Sequence, residues 1–116
     1  MKRFLLLAVA ALANGQTPVG NAKHGNELFL KYTCYGCHGF SGENGPGARL
    51  VPMKLTQAGF IAYVRNPPRP NQMPSYSPKV LSDSDMADIY AYIKTIPDTD
   101  RPAGSIPLLN QILSQN

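Results

Sequence analysis

The stretch Cys34-Tyr35-Gly36-Cys37-His38 combines residue types and a spacing that specify a chemistry. Two thiols separated by two residues can add across the vinyl groups of a porphyrin and become thioethers. The imidazole beside the second thiol then reaches the iron from the same side, and two intervening residues let one tight turn span both vinyl positions. Cys-x-x-Cys-His reads as a covalent haem attachment site, here for one haem c held through Cys34 and Cys37 with His38 on the iron. Three other chemistries compete for these residues. A thioredoxin-like dithiol needs a βαβ surround, which this chain does not offer. Zinc needs four ligands and usually a second cysteine pair, and the chain has two cysteines in all. A disulfide across two residues closes a small loop and gains little.

Short helices must carry this motif. Asn21 is suited to cap a first helix that runs to about Tyr32, with Leu28, Phe29 and Tyr32 on its apolar side. The motif follows at once, then a glycine-rich loop from Gly39 to Gly47. Thr56 reads as the cap of a second helix to about Asn66. Pro67-Pro68 ends it, because proline lacks an amide donor and disfavours helix in the residue before it. An irregular loop spans Pro67 to Pro78. Ser82, with Asp85 three residues on, starts a last helix in the manner of a capping box, and Pro97 stops it after Ile96. Met86, Ile89, Tyr90 and Ile93 form one stripe on that helix. With no repeat and no alternating strand pattern, the expected class is all-α, three to five short helices wrapped around one haem.

Composition agrees. The 116 residues suit one domain, and 11 prolines with 10 glycines favour short helices joined by irregular loops over a large sheet. A domain this small buries a limited core and commonly needs a staple or a cofactor. The first residues read as an export signal: Lys2 and Arg3, an apolar run from Phe4 to Ala13, and the small-x-small tripeptide Ala11-Leu12-Ala13. Ten apolar residues make about 15 Å of helix, half a bilayer core, so this is a poor anchor. The expected organisation is a signal peptide at 1–13, a flexible lead at 14–20, a haem domain at 21–96 and an extension at 97–116. The mature chain would be exported, periplasmic and without a membrane span. Of the formal charge of +4, Lys2 and Arg3 supply two units, and no block of like charge remains to favour nucleic acid.

Over about Asn21 to Ile96 the chain resembles the class I cytochromes c. The attachment motif is followed by Gly45-Pro46, then by Met73-Pro74 in an irregular segment, then by the terminal helix Asp88-Ile89-Tyr90-Ala91-Tyr92-Ile93-Lys94, in the family's order. The resemblance implies a small cytochrome c-like domain with His38 proximal and Met73 distal on the iron. It also implies that the Pro46 carbonyl accepts the Nδ1 proton of His38, and that the first and last helices cross closely, Gly25 and Phe29 meeting Ile89 and Tyr92. The residues themselves leave the sixth ligand open. Met73 lies in a proline-bounded loop 35 residues beyond His38, with room to cross to the other haem face. Met53 is a second candidate, Met86 falls on the apolar stripe of the last helix, and His24 would give bis-histidine ligation. A thioether suits the site as a soft ligand.

The expected function is electron transfer between redox partner proteins, without catalysis. Ligation by His and Met leaves no free position for oxygen or peroxide and favours Fe(II). The alternatives are a dedicated electron-transfer subunit of a dehydrogenase or oxidase, and an open-haem peroxidase-like or gas-sensing protein. Lys54, Arg65, Arg69 and Lys79 flank Met73 as a mild positive rim, with solvated single charges the plainer reading. In the extension, Leu108, Leu109, Ile112 and Leu113 suit one or two amphipathic turns. The tail is expected to be a strap folded back on the domain, or else a docking segment for a larger redox enzyme.

Overall fold

Five helices and no strand are found among the residues that the computed structural model describes, 19–43, 45–99 and 107–115. The class is all-α, as expected. The helices are α1 (Ala22–Lys31), α2 (Tyr35–His38), α3 (Gln57–Arg65), α4 (Asp83–Thr95) and α5 (Pro107–Leu113). The expected signal peptide and most of the lead lie outside the described residues. No helix among the described residues is long and apolar enough to cross a membrane.

The helix boundaries follow from local chemistry. The Asn21 side chain accepts from the amides of Lys23 and His24 and starts α1. Thr56 caps α3 through the amide of Gly59 at 3.1 Å. Ser82 and Asp85 form the expected capping box, each side chain bonded to the other's amide at 3.0–3.1 Å. Pro67 and Pro97 follow the last residues of α3 and α4.

The exit from α1 is less ordinary. The amide of Cys34 bonds the Phe29 carbonyl and that of Thr33 bonds the Leu30 carbonyl. This is a Schellman ending, with Thr33 at φ 58° in the position where glycine is usual. The turn delivers the chain directly into the motif.

The frame is the crossing of α1 and α4. A Cβ built on Gly25 would lie 1.9 Å from the Asp88 carbonyl oxygen, so only glycine lets the backbones approach this closely. Phe29 meets Tyr92 edge-on, with ring centroids 5.4 Å apart. Phe29, Met86, Ile89 and Ile93 are almost wholly buried at this crossing, joined by Leu28, Leu81 and Val51, and by Phe60 and Val64 from α3. The family-implied pairing of Gly25 and Phe29 with Ile89 and Tyr92 is therefore present, and Met86 is a core residue.

The extension begins against the domain. Thr99 donates from both its amide and its hydroxyl to the Glu43 carboxylate, and Arg49 reaches Asp98 at 3.1 Å. Farther along, α5 is helical and leaves Leu108 and Ile112 exposed.

Candidate functional site

The motif occupies a single helical turn. The Cys34 carbonyl accepts from the His38 amide at 3.0 Å, and Cys34, Cys37 and His38 fall at i, i+3 and i+4, one side of α2. The two cysteines are not joined in a disulfide, and Cys34 is half-buried while Cys37 is exposed. Burial pushes the Cys34 thiol above its ordinary value. A redox-active dithiol needs a thiolate stabilised by positive neighbours, and burial at Cys34 works against one.

The glycine-rich loop folds back onto this turn. The Gly47 amide donates to the Cys37 carbonyl at 2.7 Å. A Cβ on Gly47 would lie 2.9 Å from two atoms of the His38 ring, and one on Gly45, at φ 115°, would lie 2.5 Å from the Cys37 carbonyl oxygen. Gly47 lets the loop lie against the imidazole, and Gly45 lets it lie against the Cys37 carbonyl.

The expected acceptor for His38 needs correction. Nδ1 lies 2.6 Å from the carbonyl oxygen of Ala48, not that of Pro46. The physical reason is the Gly47 contact: the Gly47 amide bonds the loop to the Cys37 carbonyl, and the carbonyl one residue farther along, that of Ala48, is the one within reach of the ring. Pro46 itself is exposed. A carbonyl can only accept, so Nδ1 carries the proton and Nε2 keeps its lone pair for a metal.

A small apolar cavity of about 40 Å³ adjoins the motif, lined by Cys34, His38, Met73, Tyr76, Met86 and core residues of α1, α3 and α4. Through Leu50, Phe60, Val64 and Met73 it shares its wall with an open cleft of about 540 Å³. Met73 thus lines both spaces. Met53 lines the outer cleft alone, and His24 lines neither. His24 instead bonds Asp88 at 2.6 Å, across the α1–α4 crossing. Met86 reaches the inner cavity from the first turn of α4, fully buried in the core.

The Met73 loop is held by its backbone. Arg65 donates to the Tyr76 carbonyl at 2.8 Å and to Asp83 at 2.7 Å, and the Tyr76 amide bonds the Val64 carbonyl. Arg65 is therefore a structural clamp and not part of a free positive rim. The Tyr32 hydroxyl donates to Val80, and the Tyr76 hydroxyl reaches the Tyr32 carbonyl at 3.4 Å. Burial pushes the Tyr76 phenol upward. Sequence reasoning missed Ala48, Arg49 and Tyr76. A backbone carbonyl leaves no signature in residue type, while the glycines at 45 and 47 were the available signal for close approach.

These residues fit a haem. The imidazole is oriented with a free nitrogen, two thiols stand on the same turn, a thioether lines the same apolar cavity, and the walls are hydrocarbon.

Comparison with known proteins agrees. Residues 20–93 match the family model described as cytochrome C oxidase, cbb3-type, subunit III. The chain is also 29% identical over 93 residues to a protein of Corynebacterium efficiens named cytochrome bc1 complex cytochrome c subunit, covering 78% of this chain and 31% of that protein. It thus spans about a third of the length of that relative. No solved structure matches the chain. With the attachment turn, the held imidazole and the family match over most of the helical domain, the chain belongs to the cbb3-type subunit III family and is a c-type cytochrome.

Proposed function

We propose that the chain carries one haem c, which Cys34 and Cys37 would hold through thioethers and whose iron His38 and Met73 would bind, and that it passes single electrons between redox proteins in an extracytoplasmic compartment. The observation that carries this reading is one cavity lined by Cys34, by His38 with Nδ1 committed to Ala48, and by Met73. The bound haem supplies a reversible one-electron couple. The chain's own part is to orient the imidazole, exclude water with Phe29, Phe60, Leu81 and Ile93, and offer a sulfur from a loop clamped by Arg65.

Met73 is preferred over its rivals on physical grounds. Met53 lines only the outer cleft, His24 is paired with Asp88, and Met86 is packed within α4 with no exposed surface. A residue on a separately held loop can meet the iron without unpacking the core. The matching family and the Corynebacterium relative carry names of oxidase and bc1 complexes, which favours a second form of the same reading, a dedicated electron-transfer subunit.

The test is Met73→Ala. Covalent attachment should persist, because Cys34, Cys37 and His38 are untouched. The iron should become open to water or small ligands, the reduction potential should fall, and peroxidase-like reactivity should appear. Met53→Leu and Met86→Leu should leave the spectrum unchanged, at a cost below about 1.5 kcal/mol for a volume-conserving swap. A Met73→Ala protein with the parent's low-spin spectrum and potential would contradict the assignment.

A further inference from the structure

The helical domain is complete at Ile96, and the family match ends at residue 93, yet the next polar residues of the chain are bound to the loop that orients His38. Glu43 and Arg49 flank the neck of this loop, which is closed by the Leu50 amide bonding the Gly42 carbonyl at 2.7 Å. Arg49 donates from Nε to the Val51 carbonyl at 2.5 Å, and from one terminal nitrogen to Glu43 at 3.3 Å and to Asp98 at 3.1 Å. The Glu43 carboxylate receives the Thr99 amide at 3.1 Å on one oxygen and the Thr99 hydroxyl at 2.5 Å on the other. Its side chain is only 12% exposed.

The link to His38 is covalent geometry. The carbonyl that accepts from Nδ1 belongs to the peptide unit between Ala48 and Arg49, and that unit is planar. Fixing the Arg49 side chain on Val51, Glu43 and Asp98 restricts the torsions on one side of this plane. We propose that Asp98 and Thr99, at the start of the C-terminal extension, act as positioning residues for His38, holding the Ala48 carbonyl on Nδ1 through Glu43 and Arg49. A firmly held acceptor gives the imidazole more anionic character and makes it a stronger donor to iron, which favours Fe(III). The extension thus tunes the centre without touching it.

This inference rests on the reading that His38 ligates a haem iron. The experiment uses the full-length holoprotein and neutral substitutions, so that no through-space charge changes with them. Thr99→Val removes the hydroxyl bond to Glu43, and Thr99→Ser keeps it. The reduction potential is measured by redox titration, and solvent exchange of the His38 Nδ1 proton by nitrogen-15 NMR of the ferrous protein. Thr99→Val should shift the potential upward and speed exchange about tenfold, the size expected for losing one charge-assisted bond in the chain of contacts. Thr99→Ser should match the parent in both. Thr99→Ala repeats the test should valine not be accommodated. If the valine or alanine variant melts lower but keeps the parent's potential and exchange rate, the tail is a structural strap only and the proposal is overturned. A parent protein that carries no haem on His38 would instead remove the underlying reading.

Discussion

The α1–α4 crossing and the loop half of the molecule solve different problems. At the crossing, backbones meet at Gly25, aromatic rings interlock at Phe29 and Tyr92, and the buried residues are apolar. Around the site, the loops at 39–56 and 66–81 are held by side chains bonded to backbone carbonyls: Arg65 on Tyr76, Arg49 on Val51, Tyr90 on Leu55. Between them lies the cavity. One half is a finished core, and the other is a frame with space for a cofactor inside it. The difference teaches where stability comes from: the first half draws it from packing, and the second requires the haem to complete its apolar interior.

The comparison is broken most directly at the crossing. Gly25→Val would force a side chain into the Asp88 carbonyl, and Phe29→Ala would empty a fully buried ring site. Each should cost on the order of 3–5 kcal/mol, or prevent folding in the case of valine, as read by thermal unfolding of the holoprotein. Removing the attachment chemistry with Cys34→Ala and Cys37→Ala sharpens the contrast. Amides of residues 66–81 should lose hydrogen-exchange protection by at least an order of magnitude more than those of α1 and α4. Equal loss in both halves would mean that the crossing, too, depends on the cofactor.

A smaller effect is the response of the crossing to pH. His24 titrates above its ordinary value of 6.5, first because of its hydrogen bond to Asp88, and with Asp85 and Glu27 adding to the pull. The folded pKa is the higher one, so the contribution is complete below the ordinary value and is lost as pH rises through the raised folded value. The melting-temperature gap between the parent and His24→Gln should therefore be largest below the ordinary value and shrink as pH rises through the raised one. At the loop, Glu43 titrates below its ordinary 4.5, chiefly through the Thr99 hydroxyl. Its contribution is present above that value and lost as pH falls through the lowered one. The smallest expected effect is at Thr33. Thr33→Gly relieves a left-handed residue but frees the unfolded chain, for a net gain of up to about 1 kcal/mol in chemical denaturation.

Much of this architecture was legible because it depends on side-chain type. Asn21, Thr56, Ser82 and Asp85 signal helix starts by what their oxygens can accept, and Pro67 and Pro97 signal stops by the amide they lack. The attachment turn was legible for the same reason, since only thiols and an imidazole can do that chemistry. Ala48 was not, because every residue carries the same carbonyl and loop geometry alone selects which one meets Nδ1. The Pro46 expectation was two residues off for that reason. Thr33 was hidden as well: a β-branched residue is a poor guess for a left-handed position, and the Schellman bonds around it override its preference. Arg65 read as a free charge because nothing local to it in sequence announces Tyr76 and Asp83 as its partners.

The central claim is that Cys34 and Cys37 carry a haem, and the most direct measurement is the mass of the tryptic peptide Tyr32–Arg49 from the purified protein. That fragment contains both cysteines, His38 and the loop through Ala48. The account predicts one haem added to the peptide and no thiol left to alkylate. A peptide at its unmodified mass, with two alkylatable thiols, would contradict it.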